Sequence, residues 1–386
     1  MSTLNKIKIA FGFLCLFPNI STAQQKERAR DLGIPFEGTP GKNNAITDVQ
    51  GIEVGYKTLI CGNGTLQPGT GPVRTGVTVI LPKGKTDKSY PAAWFSLNGD
   101  GEMTGLPYVE DYGSGYSAIG ITNTNSVGIV RNAIGAWSFK KFSKPKFDDF
   151  SFGLPIVGET WDGMLNDING YHVKQTDVWE ALDSARGGRI KEGNVGGGTG
   201  MALYGFKGGS GTPSRLFTID SVQYTLGVFV QANFGGIKEL TIAGVPVGNE
   251  ITDKEAVVHE EKRKDGSIIV IVATDAPLLP GQLKLIARRV THGIARTGTY
   301  SSNGSGEIFL ALSTATPLYN KEYTEELWKV IPKWQLNPIF KATVEATEEA
   351  IINALIAAED MEGINGNKWF SIPHTRLKEV MKKYNR

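Results

Sequence analysis

The sequence predicts an α+β protein in which layers of β-sheet carry helices on their outer faces. Three observations support this fold class. Short β-rich runs bounded by Gly, Pro, Asn and Ser fall into two groups, within residues 75–122 and 224–313. Helical periodicity is confined to a few stretches between and after those groups. The 48 glycines follow no fixed period, which argues against collagen and solenoid repeats.

Residues 1–23 predict a secretory signal peptide. Lys6 and Lys8 precede an apolar stretch, and Ser-Thr-Ala at residues 21–23 fits the small-residue cleavage rule. The stretch is too short to span a bilayer. Its removal lowers Lys+Arg from 41 to 39, against 39 Asp+Glu, so the mature chain is formally neutral. We therefore expect an exported, periplasmic protein with no nucleic-acid or membrane partner.

The composition is that of an ordinary globular protein, with 40% hydrophobic and 21% charged residues. Because Cys15 lies in the predicted signal, Cys61 is left alone, and no intrachain disulfide or cysteine-rich metal site is possible. We expect Cys61 to be a small buried hydrophobe.

The strands are predicted in chain order after an extended leading segment, residues 24–48. They are residues 75–81, 92–97, 118–122, 224–232, 268–273 and 308–313.

Three helices are predicted from spacing and end signals. Residues 281–293 start just after a proline, end in glycine and carry an apolar stripe. Residues 338–362 show the strongest pattern, with proline at the start and glycine beyond the end. Residues 162–169 open a weaker third pattern, which resumes at residues 177–186.

The most informative position is Ser267. A charged linker, residues 260–265, gives way through Gly266 to the β-branched run 268–273. A small residue, then a hydroxyl residue, then a strand is what a self-cleaving precursor requires. The hydroxyl must reach back onto the preceding carbonyl, and Gly266 has no Cβ to hinder it. An exposed charged loop without function is the plainer interpretation of the linker.

Cleavage before Ser267 would place a nucleophile and an α-amine on one residue. A serine hydroxyl is weakly nucleophilic until an adjacent base takes its proton. An α-amine has a pKa near 8 and is partly neutral at pH 7, so the new terminus supplies that base. The usual alternative is weak here, because none of the four histidines lies beside a serine in a turn.

Ser305 and Glu307 form a second candidate cluster at the entrance of the strand 308–313. Residues two apart in an extended chain project to the same side. Ser305 would then orient Ser267, while Glu307 would hold the ammonium of the new chain start or relay its proton. A polar turn with a solvated glutamate is the alternative.

Two further positions have equally open roles. Asn233 follows a predicted strand, and its amide would donate to a developing oxyanion or cap the turn. Glu159 stands among apolar residues and would bind a substrate ammonium, with Trp161 as a wall. Alternatively, Glu159 is a carboxylate at a helix N-terminus.

These residues resemble those of the β-peptidyl aminopeptidases, in the family of the L-aminopeptidase/D-amino-acid esterases. The resemblance covers nearly the whole mature chain, in separated blocks at residues 28–38, 44–49, 98–105, 122–128, 192–200, 273–280 and 346–350. The family's self-processing serine falls on Ser267, and its later serine and acid fall on Ser305 and Glu307. Gly266 stands where some members have asparagine.

The resemblance implies an αββα sandwich of four layers, like that of N-terminal-nucleophile hydrolases but with different connectivity. It implies cleavage between Gly266 and Ser267 into a large subunit, residues 24–266, and a small subunit, residues 267–386. Several such pairs would assemble. The reaction implied removes N-terminal β-amino, or small α- or D-amino, acyl residues from peptides, amides or esters. The acyl-enzyme forms on Ser267 and Asn233 supplies the oxyanion donor, without metal or cofactor.

Two other functions remain open from the sequence. One is an acyltransferase resembling ornithine acetyltransferases, although those typically use threonine and a biosynthetic role fits poorly with export. The other is a non-catalytic exported binding protein whose glycine turns are merely structural.

Overall fold

The computed structural model describes residues 26–143, 153–251, 266–315 and 329–386, and the backbone of residues 318–319 and 326–327. The predicted signal, residues 1–23, and the charged linker, residues 260–265, lie outside the described residues. Over the part of the chain that is described, no helix is long and apolar enough to cross a membrane.

The helices and strands follow one another along the chain without a break between separate folds. The helices are α1 (Leu106–Tyr112), α2 (Val127–Phe142), α3 (Gln175–Ser184), α4 (Val247–Glu250), α5 (Pro280–Ala295), α6 (Asn337–Ile356) and α7 (His374–Lys383). The longer strands are β1 (Glu53–Cys61), β2 (Val73–Leu81), β3 (Tyr90–Gly99), β5 (Ile119–Asn123), β6 (Ile156–Thr160), β10 (Ser214–Ile219), β11 (Val222–Asn233), β12 (Gly266–Thr274) and β13 (Ser305–Ser313). The short strands are β4 (Ser114–Gly115), β7 (Ala202–Leu203), β8 (Phe206–Lys207), β9 (Gly209–Gly211), β14 (Leu318–Tyr319), β15 (Glu326–Leu327), β16 (Met361–Glu362) and β17 (Lys368–Trp369).

Two sheets form the centre of the molecule. Within the described residues the smaller sheet has the order β1-β2-β5-β6, and β5 and β6 run parallel. The larger has the order β10-β11-β12-β13-β3-β4, with β9 also paired to β11. Its central strand, β12, lies antiparallel to β11 and parallel to β13.

The layers follow from the alternation of side chains along each strand. On β12, Ile269 and Ile271 face the smaller sheet and pack with Ile119 and Ile121. Ile268 and its alternate neighbours face away and pack with α5 and α6. Because both faces of β12 are buried, its sequence is a continuous apolar run.

Helices α2 and α3 cover the outer face of the smaller sheet, and α5 and α6 cover that of the larger. The order of layers is therefore helix, sheet, sheet, helix. The predicted α+β, four-layer αββα architecture is confirmed.

Every strand predicted from sequence is present, some with longer ends. The helix predicted at residues 281–293 is α5, and the one predicted at 338–362 is α6, which ends at Ile356. The third pattern is half wrong, because residues 162–169 form turns and the start of a short 3-10 helix, Ile168–Gly170, and only α3 is α-helical. Cys61 was predicted to be buried but is exposed at the end of β1.

Several elements were missed for identifiable reasons. Helix α2 contains Gly128 and Gly135 and is apolar on several sides, so it shows almost no amphipathic period. Strand β1 alternates weakly because one of its ends is exposed.

The two halves of the chain on either side of Gly266 are interleaved. Strand β11, from the first half, pairs with β12, from the second, and β3 pairs with β13. A buried ion pair also joins the halves, from Arg215 Nη2 to Glu349 Oε2 at 2.6 Å. The larger sheet is therefore built from both halves, whereas the smaller sheet comes wholly from the first half.

Candidate active site

Ser267 lies at the second position of β12, in the middle of the larger sheet, and is 5% exposed. Its Cα partner on β11 is Asn233, the last residue of that strand. Paired residues in a sheet project to the same face, so the side chains of Ser267 and Asn233 both point toward the smaller sheet.

Two N–H groups converge on the Ser267 hydroxyl. Asn233 Nδ2 donates to Ser267 Oγ at 3.3 Å, and the backbone N–H of Trp161 donates to the same oxygen at 3.4 Å. The Asn233 amide is held at both ends, because Nδ2 also donates to Trp161 O and Oδ1 accepts from the Ala202 N–H. The predicted turn cap at Asn233 is therefore wrong, and its amide faces the hydroxyl.

Ser305 and Glu307 lie on β13, adjacent to Ser267. They are 2% and 0% exposed, and Ser305 Oγ donates to Glu307 Oε1 at 3.0 Å. Burial raises the pKa of the Glu307 carboxyl, and the hydroxyls of Ser301 and Ser305 offset part of that rise. The alternative of a solvated polar turn is wrong.

The sheet register restricts the roles that Ser305 and Glu307 could have. Ser267 is paired with Gly306, and Glu307 with Ile268, so the Ser305 and Glu307 side chains lie on the opposite face from the Ser267 hydroxyl. Within the described residues, Glu307 Oε2 is buried without a hydrogen-bond partner. A buried acceptor of this kind is costly unless a donor reaches it.

Glu159 lies at the end of β6 and is 4% exposed, so its predicted alternative at a helix N-terminus is wrong. Its Oε1 accepts from the Glu102 N–H at 2.9 Å and its Oε2 from the Thr124 hydroxyl. Burial raises the pKa of Glu159, and these two bonds oppose the rise. Trp161, two residues further on, is 43% exposed.

A tight turn at residues 99–102 joins the Glu159 carboxylate to the strand beside Ser267. A Cβ on Gly306 would lie 2.1 Å from Asp100 O, and a Cβ on Gly101 would lie 3.3 Å from both Glu159 Oε1 and Gly306 Cα. Glycine is therefore required at Gly306 so that the turn can approach the strand. No role was predicted for this turn from the sequence.

Asp162, the residue after Trp161, is another buried carboxylate near the site, and it was not predicted from the sequence. It is 1% exposed, and its carboxylate accepts from the side-chain amides of Asn123 and Asn166. Burial raises the pKa of Asp162 to about 6, although its bonds from Thr75, Asn166 and Asn123 counteract the rise. These hydrogen bonds hold Asp162, and with it the backbone next to Trp161, in place.

The arrangement is a serine hydroxyl facing two N–H donors at the start of a central strand, with a buried carboxylate nearby on each side of the sheet. Among the described residues, no group of three or more His, Cys, Asp and Glu side chains forms a candidate metal site. Together, the αββα sandwich and this site define the class of serine hydrolases with an N-terminal-nucleophile type of fold.

Comparison with known proteins identifies the family within that class. Residues 44–369 match peptidase family S58, so the chain belongs to that family and is a serine aminopeptidase.

Two relatives are similar over almost their whole length. The β-peptidyl aminopeptidase BapA of Sphingosinicella microcystinivorans is 48% identical over 372 residues, covering 93% of each chain. That of Sphingosinicella xenopeptidilytica is 45% identical over 367 residues, covering 92% of this chain and 91% of the relative.

A solved structure has the same architecture. The L-aminopeptidase D-Ala-esterase/amidase from Ochrobactrum anthropi superposes with a TM-score of 0.86 at 44% identity, covering 93% of this chain and 99% of the other. It is described as a prototype for the serine aminopeptidases and a new variant among the Ntn hydrolase fold. Of the three functions open from the sequence, these findings support the aminopeptidase.

Proposed function

We propose that the protein is an exported aminopeptidase that removes N-terminal β-amino acyl residues and activates itself by cleavage between Gly266 and Ser267. The observation that carries this proposal is the convergence of Asn233 Nδ2 and the Trp161 N–H on Ser267 Oγ. Preference for β-amino residues is supported by the two β-peptidyl aminopeptidases that the chain resembles. Small α- or D-amino acyl amides and esters would be further substrates.

Self-cleavage begins when Ser267 Oγ attacks the carbonyl carbon of Gly266. The C–N bond then breaks, the nitrogen of Ser267 takes the hydroxyl proton, and an ester links Gly266 to Ser267 Oγ. Water hydrolyses this ester, which leaves a carboxylate on Gly266 and a free amine and hydroxyl on Ser267. Residues 24–266 and 267–386 become the large and small subunits.

In turnover the Ser267 amine takes the proton of its own hydroxyl as the oxygen attacks the substrate carbonyl. The Asn233 amide and the Trp161 N–H, which contact Ser267 Oγ before the reaction, would donate to the neighbouring carbonyl oxygen of the substrate as negative charge develops on it, which favours the transition state over the ground state. The leaving amine takes the proton, and water then hydrolyses the acyl-enzyme on Ser267.

Two carboxylates hold the two amines of this reaction. Glu159 receives the substrate ammonium, because a carboxylate has about four acceptor positions and, among the described residues, hydrogen bonds from the Glu102 N–H and Thr124 occupy two of them. Glu307, with Oε2 still without a partner in the described residues, receives the Ser267 amine once cleavage frees it. Ser305 fixes the orientation of that carboxylate.

We infer that the cut subunits stay together as one heterodimer, since β12 and β13 of the second half lie between β11 and β3 of the first half in the larger sheet. By resemblance to the family, several heterodimers then assemble. The signal-like residues 1–23 support export to the periplasm.

The test is mass spectrometry and turnover of the purified protein. Wild type is expected to give two chains divided between Gly266 and Ser267 and to hydrolyse β-alanyl p-nitroanilide. Ser267→Ala is expected to remain one chain and to be inactive. An intact wild-type chain that still turns over substrate would overturn the proposal, and so would an active Ser267→Ala variant.

A further inference from the structure

Lys207 is a lysine with 0% exposure, and it has no part in the reaction described above. Lysine is almost never fully buried unless its charge is stabilised. Its Nζ donates to Met201 O at 2.6 Å and to Gly208 O at 2.8 Å. Because carbonyl oxygens only accept hydrogen bonds and an ammonium only donates them, both bonds suit the charged side chain. A buried cation therefore lies against the carbonyl group of Met201.

A tight hairpin places Lys207 in this position. Strands β7 and β8 pair antiparallel with Ala202 opposite Lys207, and Tyr204 and Gly205 form the turn between them. Both turn residues have positive φ, 51° for Tyr204 and 75° for Gly205, as a type I′ turn requires. The N–H of Tyr204 donates to Phe234 O at 2.8 Å and holds the turn against β11. The hairpin thus fixes where the ammonium lies relative to the start of β7.

The Met201 carbonyl belongs to the same peptide group as the N–H of Ala202. That N–H donates to Asn233 Oδ1 at 3.0 Å, and Asn233 Nδ2 donates to Ser267 Oγ at 3.3 Å. The ammonium of Lys207, one peptide group and one side-chain amide thus form a chain of hydrogen bonds that ends at the nucleophile. In each link the donor is on the side toward the ammonium, so the dipoles of the peptide group and the amide are aligned.

A charge at one end of such a chain strengthens the bond at the other end. A cation on the carbonyl oxygen withdraws electron density from the peptide group, so the Ala202 N–H becomes a better donor to Asn233. The Asn233 amide becomes a better donor in turn. Cooperative strengthening amounts to about 10–30% per bond in condensed phases, and the low dielectric of a buried site increases the effect of the charge. The gain is largest when negative charge develops on the substrate carbonyl oxygen.

The alternative is a structural role, in which the ammonium of Lys207 only holds the hairpin together. Two backbone bonds separate this role from that of the charge. The Gly208 N–H donates to Met201 O at 2.9 Å, so this carbonyl accepts from a neutral donor as well as from the ammonium. The backbone N–H of Lys207 donates to Phe370 O, which anchors β8 whatever its side chain. Replacing the ammonium therefore removes the charge while the Met201 carbonyl keeps a partner.

We propose that Lys207 is a positioning residue whose buried ammonium strengthens the Asn233 amide as an oxyanion donor, through the peptide group between Met201 and Ala202. The proposal rests on the aminopeptidase function proposed above, and in particular on the oxyanion role of Asn233. It assigns no direct contact between Lys207 and the substrate. Because the charge acts through Asn233, its effect on catalysis must disappear when that amide is removed.

The experiment is a double-mutant cycle of Lys207→Met and Asn233→Ala, with kcat and KM for β-alanyl p-nitroanilide measured per mole of cut chain. We expect Lys207→Met to lower kcat about three- to tenfold with little change in KM, because it weakens an interaction made in the transition state. In the Asn233→Ala background the same substitution should lower kcat less than about 1.5-fold. Lys83→Met removes an ammonium bonded to the carbonyls of Thr314 and Ala315, and as the matched control it should leave kcat unchanged.

Equal losses of kcat in the two backgrounds would overturn the proposal, since Lys207 would then act independently of Asn233, and so would a wild-type kcat in Lys207→Met. Circular dichroism verifies the folding of each variant. Lys207→Gln loses the charge but keeps an amide donor, so it is expected to reproduce the loss and replaces Lys207→Met if that variant does not fold. Absence of turnover by wild type would instead contradict the aminopeptidase function, and it is measured without any change at Lys207.

Discussion

Asn233 and Ser267 are direct partners across two antiparallel strands, and the Asn233 amide lies 3.3 Å from the Ser267 hydroxyl. Sheet register thus brings together two residues separated by 34 positions in the sequence. The donor is also rigid, because the Asn233 side chain bonds the Trp161 carbonyl and the Ala202 N–H. A donor held in advance needs no reorganisation when charge develops.

Asn233→Ala is expected to lower kcat by about 10²–10³-fold with little change in KM, the usual effect of removing one oxyanion donor. The measurement is steady-state hydrolysis of β-alanyl p-nitroanilide. Self-cleavage should slow as well, since it uses the same donors. Asn194→Ala, which removes an amide bonded to Glu359 O on the surface, is the matched control. A wild-type kcat in Asn233→Ala would exclude the amide from the oxyanion site.

Gly266→Ala is expected to slow self-cleavage at least tenfold. Its Cβ would lie 2.8 Å from Phe234 Cβ and 2.9 Å from Phe234 Cα, and the second atom is backbone, so side-chain rotation gives no relief. The fraction of cut chain is followed by mass spectrometry after expression. Gly281→Ala is the control, because nothing lies within 4 Å of that Cβ. Cleavage of Gly266→Ala at the wild-type rate would show that the strand start adjusts freely.

Glu159→Gln separates substrate binding from self-cleavage. Loss of a charge-assisted bond to the substrate ammonium, about 1.5–3 kcal/mol, should reduce kcat/KM roughly 10–150-fold. Self-cleavage involves no free amine, so the variant should still be cut at the junction before Ser267. The value of kcat/KM is measured by steady-state kinetics and self-cleavage by mass spectrometry, on the same preparation. Equal loss of cutting and turnover would indicate a structural role for Glu159.

Asp162→Asn tests the buried carboxylate behind Trp161 through the pH dependence of stability. The pKa of Asp162 is raised to about 6 in the folded chain, against about 3.9 when unfolded. Protonation of Asp162 therefore contributes its full stabilisation of the folded chain below about pH 4, and this contribution is lost as pH rises through 6. Relative to the variant, wild type should lose about 2–3 kcal/mol of unfolding free energy between pH 4 and 6.5.

The measurement is urea unfolding of both chains in a Ser267→Ala background, which keeps each polypeptide whole. Asp183→Asn, at a side chain that is 65% exposed, serves as the control for removing a carboxylate at the surface. A flat difference between wild type and Asp162→Asn would mean that the folded Asp162 carboxyl keeps an ordinary pKa.

Some of the strands that were predicted correctly are buried on both faces. In β12 and β13, a continuous apolar run therefore indicates the strand without any knowledge of its neighbours. Helices α5 and α6 were found for a similar reason, since each carries its own proline at the start. Helix α2 has no such local mark, and only packing against β5 and β6 reveals it.

The features of the site also divide into those that the sequence predicts and those that only the structure shows. The junction of Gly266 and Ser267, the nearby pair Ser305 and Glu307, and the family blocks are all local patterns, and the sequence shows them directly. The opposite faces of Ser267 and Glu307, the Trp161 N–H as second donor, and the Asp162 network are not. Each depends on register or on a backbone group, and side-chain identity carries no information about either.

Local chemistry was therefore enough to predict a candidate nucleophile, a neighbouring acid and the secondary structure around them, because each prediction depends on a few consecutive residues. Only the packed sheets decided which atoms meet. The pairing of β11, β12 and β13 places an amide, a hydroxyl and a carboxylate on particular faces, and a shift of one residue would reverse every face.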